Sequence, residues 1–376
     1  MIRPSPNSGI LKQSEDRYTS TIAESEEFGL LVLSPKNRLP RRRILFVNSY
    51  GGRQLWESVK IGKTPPHHLW GCIELVWLGY EIMIAEPLKH LDWRRSALSH
   101  DLPLVRAIRH WLGSGGVLYC AHTLLYWVML LKRLGLIRSR VASLIYAGED
   151  LDFATSHDAI LALTPAAFRN ASRMAPKVPC VDLGWGIDAD YFPKEGYDPE
   201  WFLNCGRTHR DFSVLADALR LEEFACRIVT SDAPKDIAWP KCVTITSGGK
   251  ADDTVPYSVL INEYYGNALA GLVLLNRDDD MKTAVGFTST IECMAMSKPA
   301  IVTRTGALPE AVDVEKLGCG LFVEAGNSNQ LVDAMRYLKA NRSAAEEMGR
   351  KGRQLAETRY GIRAFSERLH EAFERL

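Results

Sequence analysis

The sequence has almost no net charge, no paired cysteines and no long apolar run, and each absence argues against a class of protein. The 46 Lys and Arg residues nearly balance the 45 Asp and Glu residues, so no global field favours a nucleic-acid partner. The eight cysteines include no C-x-x-C pair and no Cys/His cluster at zinc spacing. This cysteine usage fits a reducing cytosol, and we expect neither a metal site nor a cofactor.

No segment predicts a signal peptide or a membrane span. The first twenty residues contain no apolar core. The most apolar stretch, residues 117–131, contains a histidine and is shorter than the ~20 residues that a spanning helix needs. We interpret it as a buried strand that leads into a helix. The expected location is the cytoplasm, either free or with peripheral contact at the inner face of a membrane.

The pattern of apolar runs predicts an α/β protein. A length of 376 residues favours two domains over one. Short apolar runs bounded by turns alternate with helical segments, which is typical of parallel sheets covered on both faces. The expected strands are residues 44–48, 81–86, 117–121, 142–147, 159–164, 201–206, 226–231, 243–247, 272–276, 300–303 and 320–324.

The domain organisation follows from where these runs begin and end. We expect a polar, loosely ordered tail over residues 1–40 and a first domain over residues 41–190. A second domain is expected over residues 198–358, and a final helix over residues 361–376 would complete the first domain. Two such units joined by a short linker place a ligand cleft between domains, at the carboxyl ends of the strands.

Two helix starts carry their own sequence signals. Thr164 followed by Pro165 predicts a helix with the threonine hydroxyl as N-cap and proline in the first turn. The pattern Ser343-x-x-Glu346 is a capping box and predicts the start of a later helix at Ser343.

The segment of residues 286–324 is the most specific in the chain. A glycine at Gly286 leads into a short helix, whose N-terminus would present backbone N–H groups and hydroxyls from Ser289 and Thr290 to a diphosphate. Glu292, about one turn later, could accept two hydrogen bonds from a ribose diol. Ser289-x-x-Glu292 also has capping-box spacing, so the glutamate could instead complete the helix start. Spacing alone leaves both interpretations open.

The same segment resembles the carboxy-terminal signature of family 4 glycosyltransferases, which have the GT-B fold. Further segments continue the resemblance, which covers residues 160–360 well and the first domain weakly. The matching residues are ECMAMSKP at 292–299, Gly306, Pro309-Glu310, Val312, GLFV at 320–323, Asn329-Gln330-Leu331, Met348-Gly349, Arg353, VDLGWGID at 181–188, Tyr191-Phe192 and Cys205-Gly206-Arg207.

The resemblance implies two Rossmann-like domains that face each other across a cleft, and a transferase that takes a hexose-type sugar from a UDP- or GDP-sugar. The acceptor would be a glycan, a lipid or a small molecule, as in polysaccharide biosynthesis. By this resemblance, Glu292 would hold the ribose, and Gly286, Ser289 and Thr290 would lie along the diphosphate. Arg207 would supply the positive charge that a metal provides in other transferases.

The remaining expected donor contacts have weaker sequence signals. Arg210 either takes the role of a lysine that the family has nearby or is a solvated surface residue. Gly51-Gly52, after the strand at 44–48, resembles a glycine turn beside the donor phosphates, although a simple turn fits as well. Lys282 could meet a phosphate or a sugar hydroxyl. The second glutamate of the family motif, eight positions before Glu292, is replaced here by Ala284, which leaves the sugar and the anomeric outcome open.

The catalytic group is expected after the strands of the first domain. His122 directly follows the strand at 117–121, and Glu149 and Asp150 follow the strand at 142–147. Any of the three could deprotonate an acceptor hydroxyl in an inverting transfer, or could be a helix cap or loop residue. His67, His68 and Trp70 could line the acceptor side, although core packing is the better interpretation of Trp70.

Two rival functions stay open. A sugar-nucleotide epimerase would keep the fold but change the reaction. A catalytically weak paralogue would bind a sugar nucleotide or a partner protein, and Ala284 is the residue that favours it.

Overall fold

The computed structural model describes residues 18–48, 51–85, 102–121, 126–146, 154–193, 199–206, 208–231, 233–247, 255–276 and 284–376. The chain divides into two compact units. One ends at Gly186 and also includes Ile362–Leu376, and the other spans Ile187–Gly361. Each unit is built on a largely or wholly parallel sheet, so the predicted α/β class is confirmed. Over the described residues, no helix is both long and apolar enough to cross a bilayer.

The first unit contains an eight-stranded sheet in the order β1-β2-β4-β3-β5-β6-β7-β8. In this order, adjacent strands from β4 to β8 pair in parallel. Strand β2 pairs antiparallel with both β1 and β4. The strands are β1 Ile22–Glu27, β2 Leu30–Pro35, β3 Arg42–Asn48, β4 Tyr80–Ala85, β5 Val117–Ala121, β6 Arg140–Ile145, β7 Ala159–Ala162 and β8 Cys180–Asp182.

Among the described residues, five helices of this unit lie between its strands along the chain, and one comes from the end of the chain. A π-helical stretch, Ala107–Leu112, continues the helix Leu102–Arg106. Short 3-10 turns occur at Pro66–Leu69 and Ala154–Ser156. The helices are α1 Gly52–Lys60, α2 Cys72–Trp77, α3 Leu102–Arg106, α4 Tyr126–Arg133, α5 Pro165–Met174 and, from the end of the chain, α12 Ile362–Glu374.

The prediction of a loosely ordered tail over residues 1–40 is wrong for the part of it that contains β1 and β2. These strands form a hairpin whose two turn residues, Phe28 and Gly29, both have positive φ, as a tight two-residue turn requires. Strand β1 shows mostly exposed polar residues, while residues 31–33 of β2 are buried against β4. A single short apolar run in polar surroundings carried too little periodicity to reveal the hairpin.

The second unit contains a fully parallel six-stranded sheet in the order β11-β10-β9-β12-β13-β14. Its strands are β9 Trp201–Cys205, β10 Cys226–Thr230, β11 Val243–Ser247, β12 Ala268–Val273, β13 Ala300–Arg304 and β14 Gly320–Glu324. A π-helical stretch, Leu260–Tyr265, continues the short helix Tyr257–Val259. The helices are α6 Phe212–Leu221, α7 Tyr257–Val259, α8 Phe287–Ala295, α9 Leu308–Ala311, α10 Ser328–Ala340 and α11 Arg342–Glu357.

The two helix-start signals had different outcomes. The Thr164 hydroxyl accepts the Ala167 N–H at 3.1 Å, so the predicted cap of α5 is confirmed. The capping box at Ser343 is wrong, because the N-cap of α11 is Asn341, two residues earlier, without a side-chain bond, and Ser343 lies inside the helix. Asn341 also closes α10, and this short link between two helices sets where the next helix begins.

Candidate functional site

Helix α8 provides the frame of the candidate site. Its N-cap is Gly286, which has a left-handed backbone with φ of 84°. A Cβ at this position would lie 2.6 Å from Val273 Cγ1, so both the conformation and the space demand glycine. Because the cap is Gly286 and Ser289 lies inside the helix, Ser289 and Glu292 do not form a capping box. Spacing alone had left open that Glu292 merely completes a capping box, and that interpretation is therefore wrong.

Glu292 is a buried carboxylate with two tyrosine partners. The hydroxyls of Tyr257 and Tyr265 donate to its two oxygens, Tyr265 at 3.0 Å to Oε2. Burial raises the pKa of Glu292, and the two hydroxyls and the charge of Arg210 oppose that rise. Burial also raises the pKa of both tyrosines well above 10, so they remain donors. The two hydroxyls and Arg210 thus favour the charged carboxylate against the effect of burial, which is the larger one, and the hydroxyls fix its orientation.

Arg210 lies inside the second unit, with only 8% of its surface exposed. Its Nη2 donates to Ser289 Oγ at 2.8 Å and to the Cys205 carbonyl at 3.1 Å, and Nη1 donates to the Thr208 carbonyl at 3.2 Å. Its Nε has no hydrogen-bond partner among the described residues. The interpretation of Arg210 as a solvated surface residue is therefore wrong, because the guanidinium links the end of β9 to the start of α8.

The close approach of Arg210 depends on Gly206. This residue follows β9 with φ of 123°, and a Cβ there would lie 2.3 Å from Arg210 Nη2. Glycine at the end of the strand thus admits a cation next to the first turn of α8. A buried cation beside a helix N-terminus forms a setting suited to an anion such as a diphosphate.

Part of the chain matches a known family model. Residues 282–355 match the glycosyl transferases group 1. This range contains Gly286, Ser289, Thr290 and Glu292, and it ends within α11. Among curated proteins, none matches this chain in sequence.

Solved structures show the same fold over most of the chain. Sucrose-phosphate synthase from Thermosynechococcus elongatus is 14% identical with a TM-score of 0.62, over 89% of this chain and 99% of that one. A glycosyltransferase from Rickettsia africae is also 14% identical, with a TM-score of 0.61 over 89% and 98%. Alr3699/HepE from Anabaena, in complex with UDP, is 11% identical with a TM-score of 0.57 over 89% and 100%. The fold is GT-B.

Within the matched range, two residues of the group 1 segment serve packing. A Cβ at Gly349 would lie 2.0 Å from the Ser297 carbonyl oxygen, so glycine lets α11 approach the end of α8. Arg353, also on α11, donates to the carbonyls of Ala295 and Phe192 at 2.5 and 2.9 Å. Both contacts hold α8 from its carboxyl end and leave its N-terminus for other partners.

The structure brings together part of the predicted donor set. Gly286, Ser289, Glu292 and Arg210 lie around the first two turns of α8. Thr290 differs, because its side chain is fully buried and its hydroxyl donates to the Gly286 carbonyl at 2.9 Å. That hydroxyl is used within the helix and is not available to a ligand in this arrangement.

The other predicted site residues divide into two groups. Gly51 is the N-cap of α1 and Gly52 its first residue, both in the first unit after β3. The remaining predictions lie outside the described residues and stay predictions: Arg207, Lys282, His122, Glu149 and Asp150.

His67 is buried in the first unit, and His68 beside it is half-buried. Burial lowers the pKa of both rings, that of His68 to about 4, so they are neutral at physiological pH. Trp70 is 8% exposed and packs edge-on against Trp185, with ring centroids 5.2 Å apart. Core packing is therefore the correct interpretation of Trp70.

Sequence reasoning missed the two tyrosines that contact Glu292. They lie 35 and 27 residues before it, in a segment without a motif. The π-helical turn between them changes which residues share a face, so a regular helical pattern does not place them together. The only sequence signal was the presence of three tyrosines, Tyr257, Tyr264 and Tyr265, in a helix whose register could not be known.

Proposed function

We propose that this protein transfers a hexose from a UDP- or GDP-sugar to a hydroxyl of a glycan, a lipid or a small molecule. The observation that carries the proposal is the buried, tyrosine-held Glu292 on α8, within the segment that matches the glycosyl transferases group 1. Structures of the Anabaena neighbour contain UDP, and one contains UDP and glucose. They support UDP as the nucleotide here. Membership of family 4 is part of the proposal.

The proposed role of Glu292 follows from hydrogen-bond capacity. An ionised carboxylate has about four acceptor sites. The hydroxyls of Tyr257 and Tyr265 use one on each oxygen, which leaves one on each for the two hydroxyls of a ribose. The tyrosines therefore orient the carboxylate for a vicinal diol instead of competing with it.

The proposed diphosphate contacts are Gly286, Ser289 and Arg210 at the start of α8, together with Arg207 and Lys282. Transfer breaks the bond between the anomeric carbon and the diphosphate, and negative charge develops on the departing oxygen. Fixed cations and helix N–H groups stabilise that charge, so we propose turnover without a divalent metal. Asp150, Glu149 or His122 is the proposed base that takes the acceptor proton in an inverting reaction.

Ala284 favours a second candidate, a protein that binds a sugar nucleotide without transferring the sugar. Its side chain is fully buried beside the N-cap of α8, where a methyl group offers no hydrogen bond to a sugar. Turnover decides between the two. The test incubates the protein with UDP- and GDP-hexoses and a range of acceptors, with EDTA in one series, and detects released nucleotide and glycosylated product by mass spectrometry. Binding without turnover would favour the second candidate, and turnover restored only by magnesium would contradict the metal-free reaction.

Arg210→Met is expected to weaken UDP binding by about 1.5–3 kcal/mol, the range for a lost charge-assisted hydrogen bond. Uridine affinity should change little, because uridine lacks the phosphates. Calorimetric titration of both ligands measures the difference. Arg336→Met is the matched control, since Arg336 is exposed and pairs with Glu222. Equal losses for uridine and UDP in the Arg210 variant would indicate a folding defect and contradict phosphate contact.

Tyr265→Phe is expected to shift the pH dependence of UDP affinity to higher pH. Glu292 must be charged to accept two ribose hydroxyls, so affinity falls as pH drops through its pKa. The Tyr265 hydroxyl lowers that pKa, so its removal makes the fall begin at a higher pH. UDP titrations across the acidic to neutral range measure the midpoint. In the control Tyr264→Phe, the lost hydroxyl contacts Thr246 and not Glu292, and an equal shift there would contradict this role.

A further inference from the structure

A stretch of the first unit contains no acidic residue. Between Asp101 and Glu149 lie 47 residues without Asp or Glu, although the chain average of 45 in 376 predicts about six. The same stretch contains six cations, Arg106, Arg109, Lys132, Arg133, Arg138 and Arg140. In a chain with a net charge of +1, this is a strong local excess of positive charge. Three of the six cations, Lys132, Arg133 and Arg138, lie on or beside a single turn.

That turn ends α4 in a fixed geometry. The Leu136 N–H donates to the Leu131 carbonyl and the Gly135 N–H to the Lys132 carbonyl, both at 2.9 Å. Gly135 has φ of 72°. These are the two bonds and the left-handed residue of a Schellman motif. Ser139 Oγ donates to the Gly113 carbonyl at 2.7 Å and anchors the following chain.

The turn presents apolar side chains to solvent. Leu130, Leu134 and Leu136 are 51%, 64% and 69% exposed. In a Schellman motif the residue at the position of Leu136 commonly packs back on the helix, but here it does not. Single exposed leucines are ordinary on a protein surface, whereas three within seven residues are an unusual concentration of exposed apolar side chains.

Positive charge accompanies the leucines. Arg138 is exposed and has no carboxylate partner among the described residues. Exposed Arg133 donates to the hydroxyls of Ser156 and Thr155. Lys132 and Arg140 form ion pairs with Asp158. The turn therefore offers the exposed guanidinium of Arg138 next to exposed leucines.

We propose that this turn, residues 130–138, docks on the surface of a bilayer that contains anionic lipid. The leucines enter the boundary between headgroups and acyl chains, and Arg138 meets lipid phosphates. An anionic bilayer offers apolar depth and negative charge at one place. A nucleic acid offers phosphates but no apolar medium for the leucines. The proposal concerns the first unit alone and does not depend on the nucleotide site.

Sedimentation with vesicles tests the proposal. The wild-type protein is expected to bind phosphatidylcholine vesicles that contain phosphatidylglycerol, and to bind pure phosphatidylcholine weakly. Added salt should reduce binding. The double variant Leu134→Ser/Leu136→Ser should lose at least about tenfold in vesicle affinity, and Arg138→Gln about fivefold. Leu221→Ser and Arg350→Gln are the matched controls, since both residues are exposed in the second unit.

Three results would overturn the proposal. The first is a wild-type protein that does not sediment with anionic vesicles. The second is an equal loss in Leu221→Ser and in the double leucine variant. The third is retention on immobilised polyglutamate without vesicle binding, which would indicate an acidic protein partner. Melting curves and UDP titrations of the same variants should match the wild type, which separates docking from folding and from the nucleotide site.

Discussion

Glu292→Ala is expected to lower UDP affinity by about 2–4 kcal/mol, because two charge-assisted hydrogen bonds to the ribose are lost at a buried site. Glu292→Gln should lose less, since its amide keeps one acceptor oxygen. Isothermal titration with UDP measures both losses. Glu346→Ala, on the exposed face of α11, is the control and should bind UDP like the wild type.

A cycle of enzyme variant against deoxy-nucleotide identifies the contact directly. 2′-Deoxy-UDP should bind the wild type weakly, and Glu292→Gln should add little further loss. Such non-additivity indicates that the two groups touch. Additive losses would place the ribose elsewhere, and an unchanged UDP affinity in Glu292→Ala would contradict the role altogether. Melting curves run beside the titrations account for any loss of stability from the tyrosine hydroxyls left without their acceptor.

Gly286→Ala is expected to reduce the free energy of unfolding by about 2–5 kcal/mol. A left-handed backbone costs a residue with a Cβ about 1–2 kcal/mol, and overpacking costs about 1–3 kcal/mol. The crowding arises because the new methyl group would lie 2.6 Å from Val273 Cγ1 and 3.3 Å from Leu308 Cδ2. Denaturant unfolding measures the loss. UDP affinity of the folded fraction should also fall, since the start of α8 must move.

Gly326→Ala is the matched control for that substitution. Gly326 has φ of 73°, close to that of Gly286, but a Cβ there would meet nothing within 4 Å. Its loss should therefore contain only the backbone cost, and the difference between the two variants isolates the crowding at α8. Equal losses would show that the N-terminus of α8 has room for a methyl group, against the packing described here.

The order of strands along the chain was predictable because burial leaves a local pattern. Ten of the eleven predicted strands are present close to their expected bounds, since each is an apolar run bounded by turns. The strand expected at 272–276 is displaced, because β12 spans Ala268–Val273. Strands β1 and β2 were missed because their hairpin has one exposed polar strand and one short apolar run. Strand β8, Cys180–Asp182, was missed because three residues carry no periodicity.

The candidate site was predictable in its chemistry but not in its arrangement. The resemblance pointed to Gly286, Ser289 and Glu292, and spacing alone could not separate a ligand contact from a helix cap. The structure separated them, because the cap of α8 is Gly286 and the carboxylate of Glu292 contacts two tyrosines. For Arg210, the sequence could not distinguish a surface cation from a buried one.

By itself the sequence determined the fold class and the segment that matches a transferase family, because periodicity and short motifs are properties of neighbouring residues. Only the tertiary structure decided which side chains surround Glu292. Tyr257 and Tyr265 come from α7 and its π-helical continuation, whereas Arg210 follows β9, and they meet because β9 and β12 are neighbours in the parallel sheet and α8 begins at its carboxyl edge. Contacts of this kind depend on strand order, which no local pattern encodes.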